Sequence, residues 1–358
     1  MANHVCSVLV RLAALSVLVV TAAATGCDSG SSAGSLDWAS VASSADGTKL
    51  VATAVFGSLY TSTDSGATWT QRTQHGLVYV VSSADGTKLV GVGIDIQSGG
   101  SGFFIYTSSD SGATWTQTTA PQQSWQALAS SADGTKLVAT GLDSAGNGCI
   151  YTSSDSGATW TQTTAPQPGL WSLASSADGT KLVAAGGGPD TDAGGAYTGG
   201  ACIYTSSDSG ATWTQTTAPR LSWAPVASSA DGTKLVAVAV GQGIYTSADS
   251  GATWTQTTAP DPFWQSVASS ADGTKLVAVS TNLDPATLKL VGGNIYTSSD
   301  SGAIWTQTGT TQHWNSVASS SDGTKLVAVS GDLLFPLKIV GGYIYTSSDS
   351  GATWTPRK

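Results

Sequence analysis

Short apolar segments separated by polar turns recur along the chain from residue 36 onward. One copy consists of the segments "WAPVASS", "KLVAVAV", "GIYTSA" and "TWTQTT", which begin at Trp223, Lys234, Gly243 and Thr253. Each segment is rich in Val, Ile, Thr, Trp or Tyr and is bounded by Asp-Gly or Ser-Gly, which is typical of strands joined by tight turns. The pattern therefore predicts four β-strands in each copy.

Two turn motifs mark each copy, and each motif occurs seven times in strict alternation with the other. The motif "DGTKL" opens at Asp46, Asp85, Asp133, Asp178, Asp231, Asp272 and Asp322. The motif S-x-D-S-G-A-x-W has its aspartates at Asp64, Asp110, Asp155, Asp208, Asp249, Asp300 and Asp349. Seven units of four antiparallel strands predict an all-β, seven-bladed β-propeller over residues 36–358.

The second motif resembles the Asp-box, or bacterial neuraminidase repeat (BNR), of the sialidase-like propellers. Propellers with this repeat include sialidases, xyloglucan-degrading glycosidases, sortilin-type receptors and a photosystem II assembly factor. The resemblance implies the propeller fold, but the functions of these families differ too widely to carry one over. We interpret the seven motif aspartates as structural, because such an aspartate can accept hydrogen bonds from turn amides beside a glycine with positive φ.

The propeller topology predicts two unlike faces. The repeated-turn face carries both motifs, because the turns between strands 1 and 2 and between strands 3 and 4 lie at the same end of a blade. The variable face carries the loops between strands 2 and 3 and the links between blades, where the copies differ. A specific site is expected on the variable face, since binding residues are commonly placed on loops held by a rigid scaffold.

An aromatic residue near the start of each innermost strand is the first candidate on that face. The seven residues are Trp38, Tyr79, Trp125, Trp171, Trp223, Trp264 and Trp314. They are candidates for stacking on sugar rings or other flat apolar groups at the mouth of the channel. The alternative is that they pack as wedges between the blades.

The inserts "STNLDPATLKLVGG" and "SGDLLFPLKIVGG" in blades 6 and 7 are the second candidate. They extend strands 2 and 3 into hairpins with apolar residues at Leu288, Leu290, Leu333, Leu334, Phe335 and Leu337. Exposed apolar groups of this kind mark either a partner surface or a lid over the ring.

Residues 1–26 are interpreted as a lipoprotein-type signal peptide. An apolar run from Leu12 to Ala24 follows Arg11, and Ala24-Thr25-Gly26-Cys27 resembles a bacterial lipobox. Cys27 is the predicted lipid acceptor, with simple cleavage after Ala24 as the alternative, and residues 27–35 read as a flexible tether. The protein is therefore expected to be exported and lipid-anchored in the bacterial cell envelope, on a side that the sequence leaves open.

The charge pattern argues against several partners. The net charge is −9, and only 10% of the residues are charged, against about 25% in typical domains. Without a basic cluster, nucleic acid is a poor candidate, and membrane contact is expected through the lipid anchor only. No cofactor or metal is predicted, because Cys149 and Cys202 lack zinc spacing and the loop with Asp190 and Asp192 lacks the oxygen spacing of calcium loops.

Enzymatic activity is not favoured. The resemblance implies that a sialidase would need three arginines at the channel and a Tyr–Glu pair, whereas all acids here are Asp. A glycosidase of the xyloglucanase type would need two carboxylates across a cleft, for which Asp37 and Asp261 are the best pair. We predict a non-catalytic, monomeric ring that binds a protein or glycan, with a structural or adhesive surface protein, and then a glycoside hydrolase, as alternatives.

Overall fold

The computed structural model describes residues 36–54, 58–72, 76–94, 102–164, 169–186, 202–260, 263–284, 289–331, 333–334, 338–339 and 341–357. These residues form seven four-stranded antiparallel sheets and two short hairpins. Within each sheet the spatial order of the strands follows their order in the chain. The chain is a seven-bladed β-propeller, which confirms the predicted fold class.

Each blade is one continuous meander. Blade 1 comprises β1 (Trp38–Ser43), β2 (Leu50–Ala54), β3 (Leu59–Ser62) and β4 (Thr70–Arg72), and blade 2 comprises β5 (Leu77–Ser82), β6 (Leu89–Ile94), β7 (Phe103–Ser108) and β8 (Thr116–Gln117). Blade 3 comprises β9 (Ser124–Ser130), β10 (Leu137–Leu142), β11 (Gly148–Ser153) and β12 (Thr161–Gln162), and blade 4 comprises β13 (Leu170–Ser175), β14 (Leu182–Gly186), β15 (Ile203–Ser206) and β16 (Thr214–Gln215).

The later blades have the same plan, with additions in two of them. Blade 5 comprises β17 (Trp223–Ser228), β18 (Leu235–Ala239), β19 (Gly243–Ser247) and β20 (Thr255–Gln256). Blade 6 comprises β21 (Trp264–Ser269), β22 (Leu276–Ser280), β25 (Gly293–Ser298) and β26 (Thr306–Gln312), and blade 7 comprises β27 (Trp314–Ser319), β28 (Leu326–Ser330), β31 (Ile344–Ser347) and β32 (Thr355–Arg357). The hairpins β23 (Asn282–Asp284) with β24 (Lys289–Val291) and β29 (Leu333–Leu334) with β30 (Lys338–Ile339) are inserted in these two blades, as predicted.

The second strand of each blade is covered on both faces by the neighbouring blades. In blade 5, every residue of β18 (LVAVA) is buried. A strand covered on both faces reads as a continuous apolar run instead of an alternating one, and this explains the repeated "LVAV" in the sequence. The core is therefore divided into clusters between adjacent blades, such as the one that joins Val183 and Ile203 of blade 4 to Trp223 and Val226 of blade 5.

Among the described residues, the ring closes by packing between blades 1 and 7, and no four-stranded sheet combines strands from both ends of the chain. Strand β1 of blade 1 packs on β27 and β28 of blade 7, and Leu36 forms a β-bridge with Gly342. On the repeated-turn face, each blade's first turn donates one backbone hydrogen bond of 2.7–2.8 Å to the next. The bonds run Ala45 to Ala84, Ala84 to Ala132, Ala132 to Ala177, Ala177 to Ala230, Ala230 to Ala271, Ala271 to Ser321 and Ser321 to Ala45. This closed circle ties all seven blades together.

The S-x-D-S-G-A-x-W turn is built around its aspartate. The carboxylate of Asp155 accepts hydrogen bonds from Thr159 N at 2.9 Å, Thr159 Oγ1 at 2.6 Å and Ser153 Oγ at 2.8 Å. Ser156 has a φ of 59° and Gly157 a φ of 90°, so two consecutive residues adopt positive φ where the sequence predicted only the glycine. The hydrogen bond from the Thr159 hydroxyl is the largest of several that lower the pKa of Asp155 to about 2.

Candidate binding face

Five of the seven predicted aromatic residues occupy one equivalent position in their blades. Trp38, Trp125, Trp223, Trp264 and Trp314 are 0–6% exposed. Each packs edge-on against the tyrosine of its blade's third strand, with ring centroids 5.1–5.4 Å apart. Indole rings so fully covered offer little surface to a ligand, and their geometry is that of wedges between blades.

Tyr79 and Trp171 are not equivalent to the other five. Trp38 pairs with Ala54 across the first two strands, and the residues at the same register position in blades 2 and 4 are Leu77 and Leu170. Tyr79 therefore lies two residues further along its strand, and Trp171 one residue further. Tyr79 is half-buried against the cluster between blades 2 and 3, and this burial raises its pKa. Sequence reasoning missed the two leucines because it grouped residues by aromatic character and not by strand register.

The two hairpins project from the variable face of neighbouring blades. In blade 6, Asn282 pairs with Val291 and Asp284 with Lys289, and in blade 7, Leu333 pairs with Ile339. The predicted contact residues Leu290, Leu333 and Leu334 lie on these strands, whereas Leu288, Phe335 and Leu337 lie outside the described residues.

Two large apolar side chains are exposed beside the bases of the hairpins. Val291 is 41% exposed at the end of β24, and Tyr343 is 46% exposed next to β31. The backbone of Tyr343 is held in place, because its N–H donates to Ser330 Oγ at 3.0 Å while its carbonyl accepts from Ser330 N at 3.0 Å. The hairpin bases thus present fixed apolar groups on the variable face.

Of the candidate carboxylate pair, Asp37 lies in the described part of the chain. Asp37 is buried with 6% exposure, and Asp261, Asp190 and Asp192 lie outside the described residues. The carboxylate of Asp143 accepts hydrogen bonds from the backbone and side chain of Asn147, and these bonds lower its pKa and close a tight turn. Among the described residues, no group of three or more His, Cys, Asp or Glu side chains could hold a metal ion.

The remaining sequence predictions concern the cysteines and the N-terminus. Cys149 and Cys202 are buried thiols, and burial raises the pKa of Cys149 to about 11. Cys27, the signal peptide and the tether lie outside the described residues. Within the described ranges there is no helix of the length and apolar character needed to cross a bilayer.

Comparisons with known proteins support the architecture. No protein-family model matches the chain, and no curated protein matches it in sequence. YCF48 from Cyanidioschyzon merolae is similar in structure, with a TM-score of 0.57 and 13% identity over 83% of this chain and 94% of that one. YCF48 bound to D1 peptide gives a TM-score of 0.54 and 15% identity over 89% of this chain and 91% of that one.

An enzyme is also among the similar structures. The Niastella koreensis GH74 enzyme gives a TM-score of 0.57 and 14% identity over 90% of this chain and 66% of the enzyme, so this chain spans just under two thirds of the enzyme's length. At such low identity these likenesses show the fold alone, since one propeller fold supports many activities.

Proposed function

We propose that this protein is a non-catalytic propeller, anchored in the bacterial cell envelope, that binds a protein or glycan through its variable face. The pairing of exposed apolar groups with the two adjacent hairpins carries the proposal: Val291 and Tyr343 stand exposed beside them on the variable face. Of the large apolar side chains exposed among the described residues, Ile304 alone lies on the repeated-turn face. Fixed apolar groups on a rigid scaffold are typical of contact surfaces. A propeller of the same fold has been seen with a bound peptide, which is consistent with this use.

The hairpin side of the variable face is a better contact surface than the five equivalent tryptophans. Those tryptophans are almost fully covered, so a ligand would reach them only after blades had separated. Val291 and Tyr343 need no such opening. We therefore place the partner contact at the hairpins and their bases, and assign the tryptophans to packing.

Replacing both Val291 and Tyr343 with serine is expected to weaken partner capture by about tenfold or more, because an exposed apolar anchor contributes to binding more than to folding. The measurement is capture of envelope proteins and of arrayed glycans by immobilised wild type and variant. The melting temperature should change by no more than a few degrees.

Ile304→Thr is the matched control for this experiment. Ile304 is 68% exposed on the repeated-turn face, where the six other copies carry threonine. Its replacement removes an apolar group that is more exposed than Val291 or Tyr343 and should leave capture unchanged. Equal capture by wild type and the double variant would contradict the proposal, and no capture by any of the three would favour a structural or adhesive role.

The envelope anchor has its own test. Metabolic labelling with an acyl-chain probe is expected to label wild type and to spare Cys27→Ala, because the small residues before Cys27 resemble a lipobox. Cys6→Ala, which changes a cysteine inside the predicted signal peptide, is the control and should label like wild type. Equal labelling of all three proteins would remove the anchor from the proposed function.

A further inference from the structure

Neighbouring blades meet at clefts on the repeated-turn face, as between blades 3 and 4, blades 4 and 5, and blades 7 and 1. The clefts between blades 3 and 4 and between blades 4 and 5 have volumes of about 240 Å³ each, and the cleft between blades 7 and 1 has about 140 Å³. Each is lined by the "DGTK" lysine of one blade and by the turn glycine and motif serine of the next. The ring thus repeats one small site, and copies that depart from it can be compared with copies that do not.

The lysine normally spans the cleft. Its stem lies on the next blade's turn, so that a methyl group added at Gly179 would come within 2.9 Å of Lys136 Cβ. Its ammonium donates a hydrogen bond of 3.2–3.5 Å to the motif serine of that next blade. This arrangement is present in five clefts, with the pairs Lys88–Ser156, Lys136–Ser209, Lys181–Ser250, Lys234–Ser301 and Lys275–Ser350.

Blades 1 and 7 carry an arginine where the other five carry a threonine. Arg72 and Arg357 occupy the position equivalent to Thr163, two residues after the first residue of the fourth strand. Arg72 Nε donates to Thr61 Oγ1 at 2.7 Å, and Arg357 Nε donates to Thr346 Oγ1 at 2.8 Å. The threonine in each pair faces the motif glycine of the next blade, so both guanidinium groups lie at clefts, one on each side of blade 1.

The lysine–serine hydrogen bond is missing in these same two clefts. Within the described residues, the ammonium groups of Lys49 and Lys325 and the hydroxyls of Ser65 and Ser111 make no hydrogen bond, although Lys49 and Lys325 interact electrostatically with Asp85 and Asp46. A second cation at the cleft is expected to repel the ammonium, which is a physical reason for the missing bond to the serine.

The cleft between blades 7 and 1 is therefore lined by two cationic side chains and by unused donors, with Asp46 as the carboxylate that interacts with Lys325. Lys325 and Arg357 are the charged residues among those that line it, and both are half-buried. With Nε bonded to Thr346, the guanidinium keeps its Nη donors available within the described structure. In the cleft between blades 3 and 4, Lys136 is the one charged lining residue, and its ammonium is already bonded to Ser209.

We propose that the cleft between blades 7 and 1, and its counterpart between blades 1 and 2, each bind one oxyanion of the phosphate type. Arg357 offers paired N–H donors that match two oxygens, while Lys325 of the same blade and Ser65 of blade 1 supply further donors. A volume of about 140 Å³ suits a single charged group and not a drug-sized ligand, whose pockets measure about 300–1,000 Å³. The sites lie on the face opposite the proposed partner surface and do not depend on it.

Calorimetric titration with inorganic phosphate at low ionic strength tests the proposal. Wild type is expected to bind two phosphates, Arg357→Gln and Arg72→Gln one each, and the double variant to bind at least about tenfold more weakly, because charge-assisted hydrogen bonds are lost. Lys181→Gln, in a cleft without arginine, is the control and should keep both sites. Thr163→Arg should create a third site between blades 3 and 4. Such a gain of phosphate binding could not be produced by damage to folding.

The source of the anion is decided by one further probe, dimethyl phosphate. Dimethyl phosphate that binds as tightly as inorganic phosphate supports the site and points to phosphodiester groups of a larger molecule, whereas much weaker binding supports it and points to the free ion. Unchanged binding in the Arg72→Gln, Arg357→Gln double variant would overturn the proposal, provided that thermal melting shows it folded. Absence of phosphate binding by wild type at millimolar concentration would overturn it as well.

Discussion

Replacing Trp223 with alanine is expected to destabilise the propeller by about 3–5 kcal/mol, the range typical of a buried tryptophan truncated to alanine. The side chain is 2% exposed, packs on Tyr245 and Trp254 of its own blade, and closes the cluster with Val183 and Ile203 of blade 4. Its removal would leave a cavity between two blades that the rigid sheets cannot fill. Denaturant unfolding monitored by far-UV circular dichroism measures the change.

Trp223→Leu is the matched control, because leucine already occupies the equivalent position in blades 2 and 4. Leu77 is 1% exposed and Leu170 is 4% exposed, so the fold accepts leucine as a wedge. The leucine variant is expected to lose clearly less stability than the alanine variant. If Trp223→Ala instead unfolded like wild type but lost glycan or protein capture, the tryptophans would be a ligand surface and not inter-blade packing.

The fold could be predicted from the sequence because each blade is encoded locally. The turn motifs fix where strands begin and end, and hydrogen bonds such as those from Thr159 to Asp155 span only four residues. The apolar run of β18 likewise reports its burial directly. Seven repetitions of such local signals leave little freedom in the architecture.

The aromatic set shows where pattern reading fails. Trp38 and Tyr79 both stand near the start of an innermost strand, yet only Trp38 pairs at the wedge position, and Leu77 takes that position in blade 2. A shift of one or two residues in register changes the neighbours of a side chain, and residue type alone does not reveal it.

Contacts between blades could not be predicted from the sequence, for a different reason. The bond from Lys136 to Ser209 joins residues 73 positions apart, and the ring bond from Ser321 to Ala45 joins blades 7 and 1. Their existence depends on how far one blade is rotated against the next, which no local motif encodes. The grouping of Arg357 with Lys325 belongs to this class, since the sequence showed no basic cluster.

Stability is expected to be constant between about pH 7 and pH 5 and to fall steeply between about pH 4 and pH 2. All seven "DGTK" aspartates, and six of the seven motif aspartates, have a pKa lowered from 3.8 to about 2. At Asp133 the hydrogen bond from Ser131 is the main cause. The unfolded chain takes up protons from about pH 4 downward, while the folded chain resists until about pH 2, so protonation favours unfolding in this interval.

Asp133→Asn tests whether these turns are the origin of the acid sensitivity. Asparagine keeps an acceptor for Ser131 and the Thr135 amide but carries no charge, so the variant should melt at a lower temperature than wild type at pH 7. The difference should narrow toward pH 2, because wild type then loses the same charge by protonation. Melting temperatures measured at half-unit steps from pH 7 to pH 2 give the comparison. A difference that stays constant down to pH 2 would show that the carboxylate charge at this turn does not contribute to acid unfolding.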